Sequence, residues 1–147
     1  MTPCARGGIW LYQRMTEPVR PRVGCGAALL DDQGRLLLVK RIKAPEAAHW
    51  GVPGGKLDWG EAVRFCAERE IHEELGIAVV AGAVLAVTDM IADDHHWLAI
   101  TFRAERFTGE PVIQEAHALS AWGWFALDAL PSPLTAATRD AVAMLGA

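Results

Sequence analysis

The 147-residue chain has no apolar run approaching the roughly 18 residues that a membrane-spanning helix requires. Its opening stretch, Met1 to Arg14, also lacks the continuous apolar segment of a secretory signal. These absences argue against a membrane partner and lead us to expect a soluble, cytoplasmic protein. Cysteine is scarce: Cys4, Cys25 and Cys66 are odd in number and irregularly spaced, which suits neither a disulfide framework nor a zinc site. Reduced thiols are expected. Charge of one sign is lacking too, with 14 basic against 18 acidic residues and a formal net charge of −4, so nothing favours gripping a nucleic acid polymer. A single nucleotide is still admissible, because metal ions can neutralise its phosphates locally. What the chain does have is 52% hydrophobic composition, enough for one core and one domain.

Residues 1–22 carry Pro3, Gly7, Gly8, Pro18 and Pro21 without periodicity and read as an irregular arm, with Met15 as an alternative start. Residues 23–147 form the domain. Two apolar runs, Val23 to Leu30 and Arg35 to Ile42, flank the turn Asp31-Asp32-Gln33-Gly34 and predict a hairpin. Trp50 to Gly55 predicts a short strand running into a glycine loop, where backbone can approach a ligand closely. Glu61 to Leu75 lacks glycine and proline and is stopped by Gly76, so it predicts a helix. Strands follow at Ile77 to Ile91, with a bulge at Gly82, at His96 to Phe107 and at Ala118 to Ala126. Pro131-Ser132-Pro133 leads into a terminal helix with Leu134, Ala141, Val142 and Leu145 on one stripe. The order β-β-β-α-β-β-β-α predicts an α/β (α+β) fold with mixed sheets and helices packed against them.

On the first helix Glu70, Glu73 and Glu74 are three and four residues apart, which puts the three carboxylates within one arc of roughly 100°. Val63, Cys66 and Ala67 share that side, so the carboxylates emerge from a core-facing surface. Like charges so placed either raise one another's pKa or bind cations, and an all-oxygen set suits Mg²⁺ or Mn²⁺. A solvated acidic face explains the helix by itself equally well. The tryptophans mostly have a core explanation; Trp50 and Trp97 are the two to test for stacking on a base. His95 and His96 are adjacent in a strand and point to opposite faces, and His96 is a candidate for a hydrogen bond to substrate.

The wider spacing lifts the metal reading. Gly55, five residues, Glu61, seven residues, then Arg69-Glu70-Ile71-His72-Glu73-Glu74-Leu75-Gly76-Ile77 resembles the Nudix box at every specified position. The resemblance covers about Val23 to Leu145 and implies the Nudix fold, a mixed β-sheet sandwiched between α-helices. It also implies metal-dependent hydrolysis of a nucleoside diphosphate linked to another moiety. Glu70, Glu73 and Glu74 then correspond to the ligands of one to three divalent ions, with the Gly54 carbonyl as a further ligand. Arg69 resembles the arginine that orients a catalytic carboxylate through a bidentate pair. Lys56 resembles a phosphate-contacting residue, an exposed loop lysine being the plain alternative. Glu61, near the helix start, has a sufficient role in the helix dipole. The catalytic base is either a box glutamate or a loop glutamate, and Glu115 is the loop candidate, as base or ligand.

The favoured reaction is cleavage of a nucleoside triphosphate to monophosphate and pyrophosphate. Cleavage of ADP-ribose or a nucleotide sugar is the alternative, and a silent nucleotide-binding sensor is the second, though sensors of this kind usually lose box glutamates and none is lost here. RNA processing ranks last, because no basic stripe accompanies the domain. An isomerase reading is weaker still, since Cys66 is more simply a packing residue. A homodimer is plausible.

Overall fold

The computed structural model describes residues 19–146, so the body of the expected N-terminal arm, including Met15, lies outside the described residues. The elements run β1 (Arg22–Ala28), β2 (Leu36–Arg41), β3 (Trp50–Gly51), β4 (Gly54–Lys56), α1 (Val63–Leu75), β5 (Ala78–Ile91), β6 (His96–Thr108), β7 (Leu119–Phe125) and α2 (Ala136–Leu145). They form two sheets. One is mixed, in the order β4-β1-β6-β5, with β1 parallel to β6 and the other pairs antiparallel. The second is antiparallel, in the order β3-β2-β7. Helix α1 packs on β1, β4 and β5, and α2 packs on β5, β6 and β3. The expected mixed-sheet architecture with packed helices is what forms.

The predicted hairpin of β1 and β2 does not form a ladder. Asp31 makes the turn, accepting the Gly34 N–H on its carbonyl and the Gln33 and Arg35 N–H groups on Oδ1. A single bridge, Leu30 to Leu36, follows, and the strands then part into different sheets. The reason is in β2 itself: Leu36, Leu37, Leu38 and Val39 are all buried. A strand apolar on both faces must be covered on both. Leu37 and Val39 enter the core beneath α1 with Cys66, Ile71 and Phe102, while Leu36 and Leu38 enter a second core with Trp50, Phe125 and Val142.

Helix α1 starts at Val63, two residues later than expected, and ends where Gly76 takes φ 71° and its N–H reaches the His72 carbonyl. Gly82 does mark an irregular register between β5 and β6. A side chain there would press on the Arg103 carbonyl. Cys25 and Cys66 are free and buried, as expected of packing thiols.

Candidate active site

The 3.6-residue repeat of α1 buries Cys66, Ala67, Ile71 and Leu75, and the next positions around the helix carry the glutamates to the rim of that buried face. Arg69 organises the rim. Its Nε and Nη2 donate to the two oxygens of Glu61 at 2.5 and 2.8 Å, while Nη1 donates to Glu70 Oε1 at 2.9 Å and Glu73 Oε2 at 3.1 Å. The bidentate partner is therefore Glu61 rather than one of the three clustered glutamates. Glu61 precedes the helix and also accepts the Asp58 N–H, so the arginine fork, not the helix dipole, accounts for it. The Arg69 hydrogen bonds pull the Glu61 carboxyl down to about 2.

Glu74 is buried, and its Oε2 accepts the Gly54 N–H at 3.3 Å. Burial, followed by the charge of Glu70, pushes its carboxyl up to about 8. Glu70 is raised as well, first by burial and then by Glu73 and Glu115, against the lowering influence of Arg69. Its carboxylate fills the space a side chain on Gly55 would need. Glu115 comes to this neighbourhood because its loop is tied to the end of α1: Val112 N–H donates to the Leu75 carbonyl and Gln114 N–H to the Glu74 carbonyl, at 3.0 and 2.8 Å. Glu73 points outward to Arg69, and among the described residues no three Asp, Glu, His or Cys side chains converge on one ion position. The donor set nevertheless fits a hard divalent cation. It is all oxygen, two of its carboxylates are disfavoured as bare anions by burial, and a cation relieves both.

Beside these groups lies a cavity of about 310 Å³ between the two sheets. Gly54, Lys56 and Glu74 line it from β4 and α1, and Trp97 lines it from β6 with the Arg22 guanidinium 5.7 Å from its ring centre. Trp50 does not line it. That ring packs edge-on against Phe125 at 5.1 Å in the second core, because β3 is bridged to Leu134 ahead of α2. His96 faces away as well, against Asp89 at 3.3 Å, consistent with the alternation of a strand in which Trp97 faces in. Arg41, Glu46 and Thr135 line the cavity and were not singled out from sequence. A signal existed for Arg41: it follows Leu37 and Val39 at strand period, on the α1-facing side of β2.

The family model for the NUDIX domain matches residues 20–145. The chain belongs to the Nudix family. Among Nudix relatives, the Bacillus subtilis Nudix hydrolase YvcI, itself uncharacterized, is 32% identical over 64% of this chain and 61% of its own length. A Mycobacterium tuberculosis protein with the provisional name 8-oxo-dGTP diphosphatase 2 is 38% identical over 57% of this chain and 61% of its own. The chain thus spans about three fifths of the length of these two curated relatives. A crystal structure of a MutT Nudix hydrolase from Burkholderia pseudomallei superposes with a TM-score of 0.81 at 53% identity, covering 86% of this chain and 98% of that one. Nudix hydrolases generally use divalent metals and act on small nucleotide substrates.

Proposed function

We propose that this Nudix protein hydrolyses a nucleoside triphosphate to monophosphate and pyrophosphate with Mg²⁺ or Mn²⁺. The observation that carries the reading is one cavity joining a buried, proton-hungry carboxylate, Glu74, to the cations Arg41 and Lys56 and the indole of Trp97. Glu70, Glu73 and Glu74 would hold the metal, with the Gly54 carbonyl as a further oxygen. An ion held there would supply neutralisation of phosphate charge and Lewis-acid polarisation of phosphorus. Arg69 orients Glu70 and Glu73, Lys56 and Arg41 bind the phosphate chain, and Trp97 offers a face to the base. Glu115, held beside the box by the tie of its loop to α1, accepts a proton from the attacking water. A triphosphate substrate is favoured over ADP-ribose by the provisional name of the mycobacterial relative, 8-oxo-dGTP diphosphatase 2.

Product analysis with triphosphates, ADP-ribose and nucleotide sugars, with Mg²⁺ or Mn²⁺ and in wild type and Glu74→Gln, tests the proposal. Pyrophosphate release from triphosphates, abolished in the variant, is expected. Preference for ADP-ribose or a nucleotide sugar would replace the substrate assignment, and binding without turnover of any compound would replace hydrolysis with sensing.

A further inference from the structure

A glycine inside a strand weakens it, through backbone entropy and the missing side chain, so its presence needs a reason. Packing supplies that reason at other strand glycines. A Cβ on Gly26 would lie 2.6 Å from the Pro53 carbonyl oxygen, one on Gly82 2.8 Å from that of Arg103, and one on Gly51 2.9 Å from Thr135. Gly24 is different. A Cβ there would meet a single atom within 4 Å, the Gly55 carbonyl oxygen at 3.6 Å, which is ordinary contact. Gly24 also lies within the extended backbone of β1 and does not take the positive φ of Gly34, Gly60, Gly76 or Gly109. Neither packing nor conformation requires a glycine at this position, and the position lines the cavity. Strand glycines without a packing reason mark places where a ligand comes close to the backbone.

The strand register tells which part of a ligand comes close. Cys25 points into the core beneath α1, so the absent side chains of Gly24 and Gly26 would point to the opposite face, toward the cavity. On that face Gly26 pairs with Gly54 of β4, Gly24 with Lys56 of β4 and Ala99 of β6, and Arg22 with Trp97 of β6. Strand β1 lies between β4 and β6. Gly24 is therefore midway along the diagonal from Gly54, whose N–H is held by Glu74, to Trp97, with about 8 Å on either side. A ligand held at the carboxylates by one end and on the Trp97 indole by the other crosses the sheet at Gly24. In a nucleotide the sugar with its 5′ phosphate is the part that joins those two ends.

We infer that Gly24 is a specificity-determining residue: its bare Cα is the clearance over which the sugar and 5′ phosphate of a nucleotide lie against the sheet. The inference rests on reading the cavity as a nucleotide site with its phosphates at the glutamates. A side chain on Gly24 would stand in the path of the ligand without disturbing the fold, because the space above it holds no protein atom that must yield. A phosphate chain that carries no nucleoside ends before Gly24 and is indifferent to that side chain. Gly24 thus separates nucleotides from bare phosphates by shape, whatever the base.

Calorimetry with the deoxynucleoside monophosphates dAMP, dGMP, dCMP and dTMP and with inorganic pyrophosphate, in Mg²⁺, tests this without turnover. For the monophosphate that wild type binds best, affinity should fall in Gly24→Ala and fall further in Gly24→Val, there by at least roughly tenfold, the effect of forcing a side chain into an occupied space. Pyrophosphate should bind both variants as it binds wild type. Melting temperature should hold or rise in the Gly24 variants, since alanine and valine suit a strand better than glycine, whereas Gly26→Ala should lower it. Undiminished monophosphate affinity in the variants, an equal loss for pyrophosphate, no monophosphate binding by wild type, or a Gly24→Ala melting temperature as low as that of Gly26→Ala would each overturn the inference. Gly24→Ala decides even if the valine variant folds poorly. Lost monophosphate binding in the variants with triphosphates inert in wild type would sink only the hydrolysis proposal, and triphosphate turnover undisturbed by valine would sink only this inference.

Discussion

Arg69 spends two nitrogens on Glu61 and the third on Glu70 and Glu73, so its planar fork sets where two of the clustered carboxylates point. Lysine supplies a point charge without that fork. Arg69→Lys should lower kcat by about 10- to 100-fold, with KM changed less, as for the loss of a residue that orients metal-binding groups; steady-state kinetics with Mg²⁺ checks this. Glu74 makes a separate prediction. Its carboxyl is raised to about 8 in the folded protein against an ordinary 4.5, so the native state binds the extra proton. That contribution to stability is fully present below about 4.5 and is lost as pH rises through about 8, with Glu70 acting in the same direction. In EDTA, melting temperature should therefore fall from pH 5 to pH 8.5, and Glu74→Gln should flatten the slope. Glu61 acts oppositely but only in acid, its contribution being lost as pH falls from 4.5 through about 2. The acidic arc and the buried face beside it were legible at this scale. The partner of Arg69 was not, since Glu61 lies eight residues away across the helix start.

Among the elements, β4 is seated closely against β1. A side chain on Gly54 would run into the backbone of Cys25 and Gly26, whereas one on Gly55 would meet only the movable Glu70 carboxylate. Gly54→Ala should cost about 1–3 kcal/mol in urea unfolding, the range for forcing atoms into a packed region. Gly55→Ala should retain most of its stability and lose activity, because what yields is a proposed metal ligand. Equal stability of the two variants would contradict the close approach of β4 to β1. Helix α1 with its glycine stop and the β5, β6 and β7 strands were readable from composition and period, whereas the expected glycine loop is instead the strand β4, because Gly54 and Gly55 pair with Gly26 and Cys25 of β1. The partition of β1 and β2 was not readable, because a turn signal reports that the chain reverses and not whether the strands stay paired.

For the whole molecule, β2 joins the two cores, with Leu37 facing one and Leu38 the other. The cores should therefore unfold together. Leu37→Ala and Leu38→Ala should each cost about 2–5 kcal/mol, and in both variants tryptophan fluorescence and far-UV circular dichroism should give one coincident urea transition. Trp124 reports on the first core and Trp50 on the second, so separate transitions would show that β2 does not couple them.

Local spacing sufficed for the family, the glutamate arc, the helix stop and most strands, because these depend on repeats of two or 3.6 residues within one segment. Packing alone decided that Trp50 serves the second core, that Arg69 turns to Glu61, and that Glu46 faces the cavity. Glu46 meets Ala136 across ninety residues of chain. Such a meeting follows from burying both faces of β2 at once, a condition on the assembled sheets that no short-range pattern in either segment encodes.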